Sequence, residues 1–249
     1  MQDESPRWKA ALVTGASSGI GQAVVRGLRA RNITVYAVAR RADRLARLAA
    51  ETGAQAIVLD VQDTPALYEK LSHLEVDVLV NNAGVGRGFV GLLSVAPEEI
   101  DRTIGTNVLG ALHVARAVIP GMVVRKHGHV FTVGSVAGLY PIRSALYGAS
   151  KGAIHLFASN LRLELVGSGV RHTEIVPGRV QTEFLSVAID DPALRAKLDA
   201  EITELSAEDI ARCIMFALDA PANVDVTTLE VLPTEQAIGG VQLVRGPRT

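Results

Sequence analysis

Among 249 residues there is one cysteine, Cys213. An internal disulfide is excluded, and the reducing cytoplasm is the expected compartment. Cys213 lies in the apolar-periodic stretch ARCIMFAL, which predicts a buried, inert thiol rather than a nucleophile. Charge of one sign is also lacking. The 25 basic and 26 acidic side chains leave a formal net charge of -1, with no basic stripe to draw nucleic acid or an anionic membrane. No apolar run reads as long enough to span a bilayer, since Arg116 interrupts the best candidate, ALHVARAVIPGMVV. The opening stretch MQDESPRWKA is polar, with no apolar segment of signal-peptide type before Lys9. The histidines are scattered. His127 and His129 stand at the entry to a strand with no third ligand in view, and His155 reads as a packing or interface residue. A metal site is therefore not expected. There is no linker rich in proline, glycine or serine and no internal repeat.

What is present is alternation. Short β-branched runs (AALVT, ITVYAVA, AQAIVLD, VDVLVNN, GHVFTVGS, VRHTEIVP and TTLEVLP) are separated by helical patterns such as IGQAVVRGLRAR, DRLARLAAE and the stretch from about 97 to 124. Most of the runs are nearly continuous in apolar residues, as strands buried on both faces of a parallel sheet require. The expectation is one α/β domain over 1–249: a Rossmann-type, doubly wound parallel sheet of about seven strands with helices on both faces. Ser206 to Asp209 reads as a capping box opening the last long helix. Residues 183–205 are charged, carry Pro192 and follow a strand end. They read as a substrate lid or as a plain surface excursion.

Two local patterns carry chemistry. The first is TGASSGIG, directly after the first strand. Gly15, Gly19 and Gly21 allow a sharp turn and close approach of a pyrophosphate, while Ser17, Ser18 and Ile20 lead into a helix whose free N–H groups favour an anion. At the end of the second strand, where an NAD site would carry Asp or Glu, stand Arg40 and Arg41. Guanidinium groups suit a 2′-phosphate, so NADP(H) is the expected cofactor; otherwise the two arginines are solvated charges at a helix start. Asp60 closes the third strand, where it could accept from an adenine amino group. Asn82, Ala83 and Gly84 close the fourth with small residues where backbone must pass a ligand.

The second pattern is Tyr147 and Lys151, an i, i+4 pair on one helix face, with Ser135 upstream at the end of a strand. A neighbouring ammonium should lower the phenol pKa from its ordinary value of about 10. Tyr147 would then serve as acid and base, Ser135 would orient the substrate oxygen, and the nicotinamide would exchange hydride. Arg143, one turn before Tyr147, could hold a substrate carboxylate, with Arg179 as the second candidate; either could be a surface arginine. Phe89, Leu139 and Phe184 are candidates for the pocket wall.

With these motifs in order from about Lys9 to Pro233, the chain resembles the short-chain dehydrogenase/reductase family, in its branch of roughly 250-residue members. The resemblance rests on TGASSGIG, Asp60-Val61, NNAG at 81–84, TNVLG around Asn107, Ser135, the Tyr147–Lys151 pair and PGRVQT at 177–182. It implies that Lys151 also binds the nicotinamide ribose and that Asn107 holds a water linking Lys151 to solvent. It further implies that Val180 and Thr182 hold the carboxamide, with Pro177 and Gly178 shaping the turn. It implies a homotetramer built through the long helices near 97–124 and 147–166. The RRADRL stretch and the ending TTLEVLPTEQ resemble the NADP-dependent subgroup acting on serine, allo-threonine and other 3-hydroxy acids. Two rivals share the core: a 3-oxoacyl carrier-protein reductase, disfavoured by the non-basic segment IDDPALRAKLDAEITE, and a non-catalytic NADP-sensing protein, which would have no need of the tyrosine.

Overall fold

The seven β-branched runs form seven strands: β1 Ala10–Thr14, β2 Thr34–Ala39, β3 Gln55–Val58, β4 Val78–Asn81, β5 Gly128–Val133, β6 Val170–Pro177 and β7 Thr228–Val231. The structure is a computed structural model that describes residues 7–86, 91–184 and 202–237. All seven strands pair in parallel, in the order β3-β2-β1-β4-β5-β6-β7. The order reverses between β1 and β4, which opens a crevice at the carboxyl ends of the strands.

Helices α1 (Gly19–Arg29), α2 (Ala42–Thr52), α3 (Thr64–Leu71), α4 (Pro97–Ile104), α5 (Ala111–Arg125), α6 (Ala145–Leu165) and α7 (Ala207–Asp219) connect them. Two apolar clusters, one on each face of the sheet, make the core. On one face Val24 and Leu28 of α1 and Ile210 and Ile214 of α7 meet Val13, Val35 and Phe131. On the other Leu67 and Leu71 of α3 and Val114, Val118 and Met122 of α5 meet Leu12, Leu79 and Val130. Burying a Leu or Val side chain contributes about 1.5–3 kcal/mol, so these layers fix the frame from which the site is hung. The outer strand β3 departs from the expected double burial: its residues are largely exposed because, among the described residues, no strand lies beyond it.

The apolar pattern did not mark α3. Its start is set by Asp63, whose side chain accepts from the Ala66 N–H at 3.2 Å, and by Pro65 in the first turn. The capping box at Ser206 is present: its hydroxyl accepts from Asp209 N–H and the Asp209 carboxylate accepts from Ser206 N–H. One sequence expectation needs correction. Pro97–Arg125 is a continuous helical run, long and apolar enough to cross a membrane by length and composition alone. Half of its most apolar stretch is buried inside the domain, as in a core helix, and Arg116 does not divide it.

This run contains a π-helical segment, Gly105–Gly110. Gly110 lets it sit against the end of the third strand: a Cβ there would lie 2.6 Å from a methyl carbon of Val61. Inserted π turns recur at functional sites because they turn a side chain out of register. Asn107 lies within this segment.

Candidate active site

The glycine loop is shaped by contacts a side chain would destroy. Gly15 and Gly19 have φ of +67° and +53°, in the left-handed region that favours glycine. A Cβ on Gly15 would stand 2.8 Å from the amide nitrogen of Asn82, and one on Gly21 would stand 2.5 Å from the Gly15 carbonyl oxygen. The loop is tied across the switch point: the N–H groups of Asn82 and Ala83 both donate to Thr14 Oγ1 at 3.0 Å, and Asn82 Nδ2 donates to the Thr14 carbonyl at 2.9 Å. Ser18 caps α1 without a side-chain bond to the helix, and the first turn holds no acidic residue. Its N–H groups and dipole therefore face the crevice as an anion site.

The arginines form a second anion site beside it. Arg41 donates to Ser18 Oγ at 2.5 Å, Ser17 Oγ at 3.1 Å and Glu183 at 2.9 Å. Arg44 donates to both oxygens of Glu183, at 2.5 and 2.6 Å. These two guanidinium groups hold the Glu183 carboxyl below the usual carboxylate range. Arg40 is the looser of the adjacent pair, 3.5 Å from Asp60, whose other oxygen accepts from Gln62 N–H at 3.1 Å. Sequence reading missed Arg44 and Glu183. Arg44 lay in plain view, one helical turn beyond Arg41; Glu183 reaches the pair only through the fold.

Between these loops and α6 lies a cavity of about 550 Å³. It gathers the nominated residues from separate parts of the chain: Gly15, Ser17, Ser18, Gly19 and Ile20; Arg40, Arg41, Asp60 and Val61; Asn82, Ala83 and Gly84; Ser135, Tyr147 and Lys151; Pro177, Gly178, Val180 and Thr182. Gly21 and Asn107 are buried behind it. Arg143 is exposed and does not line the cavity, although its neighbour Ile142 does. Arg179 does line it, bound to Glu204 at 2.9 and 2.6 Å. Phe184 walls the cavity, its ring centroid 5.3 Å from that of Tyr147. Leu139 is half-buried away from the lining, and Phe89 lies outside the described residues. So does 185–201 of the expected lid. The two ends of that segment are pinned together, Gln181 N–H to the Leu205 carbonyl at 2.8 Å and Leu205 N–H to the Arg179 carbonyl at 3.1 Å.

Tyr147 and Lys151 are 8% and 7% exposed, so desolvation governs both. Burial pushes the phenol up to about 12 against the downward pull of a hydrogen bond from Ser135. Burial pushes the lysine down to about 8, with Glu174 opposing. This corrects the expectation that Lys151 lowers the phenol: the ammonium donates to the Val133 carbonyl at 2.9 Å, and burial of the ring prevails. Asn107 accepts from Val85 N–H at 2.7 Å and donates to the Val85 carbonyl and to Ser150 Oγ. Its Oδ1 would lie 3.5 Å from a Cβ on Gly84, and Lys151 Nζ 3.8 Å from the same point. The absence of a side chain at Gly84 keeps a gap between them.

Comparison with known proteins gives a consistent result. The short chain dehydrogenase family profile matches residues 9–192. The NADP-dependent 3-hydroxy acid dehydrogenase YdfG of Escherichia coli strain K12 is 36% identical over 244 residues, covering 94% of this chain and 98% of its own. An uncharacterized short-chain type dehydrogenase/reductase, y4eK, of Sinorhizobium fredii is 39% identical over 95% of this chain and 96% of its own. Among solved structures, the closed form of a serine dehydrogenase complexed with NADP+ superposes with a TM-score of 0.88 at 36% identity, covering 95% of this chain and 100% of that one.

Proposed function

Since the chain belongs to the short-chain dehydrogenase/reductase family, we propose that it is an NADP(H)-dependent oxidoreductase whose substrate is a small 3-hydroxy acid or the matching acidic aldehyde or ketone. The observation that carries this reading is one cavity holding the glycine cradle, the Arg41–Arg44 anion site and the Tyr147–Ser135 hydrogen bond together. The residues fit the cofactor. The α1 N-terminus and its side-chain-free turn would receive the pyrophosphate, and Arg41 and Arg44 the 2′-phosphate. Asp60 with Val61 would meet the adenine end, and Pro177, Gly178, Val180 and Thr182 the carboxamide.

Bound NADP(H) supplies or accepts the hydride and, when oxidised, brings a positive charge. The chain supplies the proton and the geometry. Ser135, hydrogen-bonded to Tyr147, orients the substrate oxygen. With its pKa near 12, Tyr147 is protonated at neutral pH and donates to the oxygen of a carbonyl being reduced. In the reverse direction the phenolate must form, and cationic charge close to the phenol favours it. Lys151, still largely charged at neutral pH, holds the ribose and passes protons toward the gap by Asn107. Phe184 excludes water from the face of Tyr147, which strengthens the electrostatics inside. Arg179, at the cavity wall, is better placed than Arg143 to meet a substrate carboxylate.

Exposed Leu156 and Leu163 of α6 and Leu112 of α5 support assembly as a homotetramer through these helices. A half-buried Cys213 whose thiol burial pushes up fits a reducing, cytoplasmic setting. Steady-state turnover of small 3-hydroxy acids and neutral alcohols with NADP+ and NAD+ tests the reading. It requires NADP+ to exceed NAD+ in kcat/KM by at least about tenfold, the worth of one charge-assisted hydrogen bond, and acids to exceed neutral alcohols. Preference for NAD+ would overturn the cofactor assignment, and equal rates on acids and neutral alcohols the substrate class.

A further inference from the structure

His155 stands one turn beyond Lys151, so Tyr147, Lys151 and His155 share one face of α6. That face lies on β6, and the residue it meets is Glu174. Glu174 is 1% exposed. Its Oε2 is 2.8 Å from His155 Nδ1. Its Oε1 has no hydrogen-bond partner among the described residues and rests against Gly134, where a Cβ would come within 2.6 Å of it. Gly134 follows Val133, whose carbonyl receives the Lys151 ammonium, and precedes Ser135. The ammonium thus meets the last residue of β5 and the carboxylate the residue that follows it.

We propose that Glu174 is a positioning residue for the reaction, a buried carboxylate that keeps Lys151 in its ammonium form, with His155 as its anchor. The inference rests on Lys151 having the role given above. An unpaired carboxylate oxygen in the interior is strongly unfavourable unless a cation compensates it. Burial dominates and holds the Glu174 carboxyl above its usual range, and three groups on α6 oppose it: His155, Lys151 and Arg162. From the other elements the surroundings are neutral or already bound. His172, two residues along β6 on the same face, is held uncharged by burial, its pKa pushed down to about 3, and shares a 2.9 Å contact with Thr132 of β5. On β7, Thr228 is in register with Glu174, and Glu230 accepts from Tyr140 at 3.3 Å. Glu174 in turn is the charge that opposes the desolvation of Lys151. The sign follows: without the carboxylate, burial acts on the lysine alone, and its ammonium is lost at lower pH.

The test is the pH profile of kcat for Glu174→Gln, an isosteric change that keeps an acceptor for His155. The alkaline limb should move down by about one pH unit, read as a loss of about tenfold above pH 8 that shrinks as the pH falls. A purely structural role would lower kcat by one factor at every pH, and that result, or superimposable profiles, would overturn the proposal. Should Glu174→Gln not fold, the reciprocal arm decides. In Lys151→Met the Glu174 carboxyl, followed by carbon-13 resonance, should titrate at higher pH than in the wild type; an unmoved titration would overturn the proposal equally. Full turnover by Tyr147→Phe would instead remove the reading on which the inference rests.

Discussion

The two halves of the cavity are built on different physics. The half made by β1, α1 and the β2–α2 turn uses backbone and half-exposed cations. Its glycines exclude side chains, its helix end offers N–H groups, and Arg41 and Arg44 are half-exposed and paired to Glu183. The half made by β5, β6 and α6 uses buried titratable side chains: Tyr147, Lys151 and Glu174 are all less than a tenth exposed. Charge at an exposed arginine is screened by solvent and salt. Charge in the buried half is not, and single groups there move each other's protonation. On the proposed function, binding selectivity rests on the exposed cations and proton chemistry on the buried groups, where each charge counts most.

That comparison can be broken by substitution. The largest effect should come from the buried half. Tyr147→Phe should lower kcat by roughly 10²–10⁴, the range for a positioned acid or base, with NADPH affinity by fluorescence titration largely retained. A parallel loss of affinity would mean the phenol belongs to the binding half. Next comes Arg41→Ala, which removes charge-assisted hydrogen bonds worth about 1.5–3 kcal/mol. It should weaken NADPH binding roughly 10–100-fold and leave NADH unaffected; equal losses for both cofactors would deny it the 2′-phosphate. The smallest effect sharpens the contrast. Raising salt from 0.05 to 0.5 M, about a threefold shorter Debye length, should raise the KM for NADPH several-fold and leave the pH limbs of kcat in place.

How much of this was written in the order of residues depends on range. Patterns closed within one turn or one strand end were legible: the glycine loop, the Tyr147–Lys151 spacing, the capping box at Ser206, and strands such as Ala10–Thr14 and Val170–Pro177. Local backbone chemistry decides each of them. Contacts across the sheet were not legible. Nothing near Glu183 marks it as the partner of Arg41 and Arg44, and nothing near Glu174 marks it as the partner of His155, which by itself read as a packing residue. The π segment at Asn107 carries no local sequence mark; Gly110 there packs so close to Val61 that a side chain would clash. Arg143 misled in the opposite way: closeness to Tyr147 along the chain placed it near the site, but its side chain is exposed while its neighbour Ile142 lines the cavity. Protonation was the least legible property. Spacing suggested a phenol lowered by its neighbour, whereas burial, a property of the whole fold, raises it.

The most direct test of the central claim is the titration of Tyr147 itself, followed through carbon-13-labelled tyrosine with and without NADP+. In the free protein the phenol should titrate near 12. With NADP+ bound it should titrate below its ordinary value of about 10. A phenol that stays near 12 in an NADP+ complex competent to oxidise its alcohol would contradict the account.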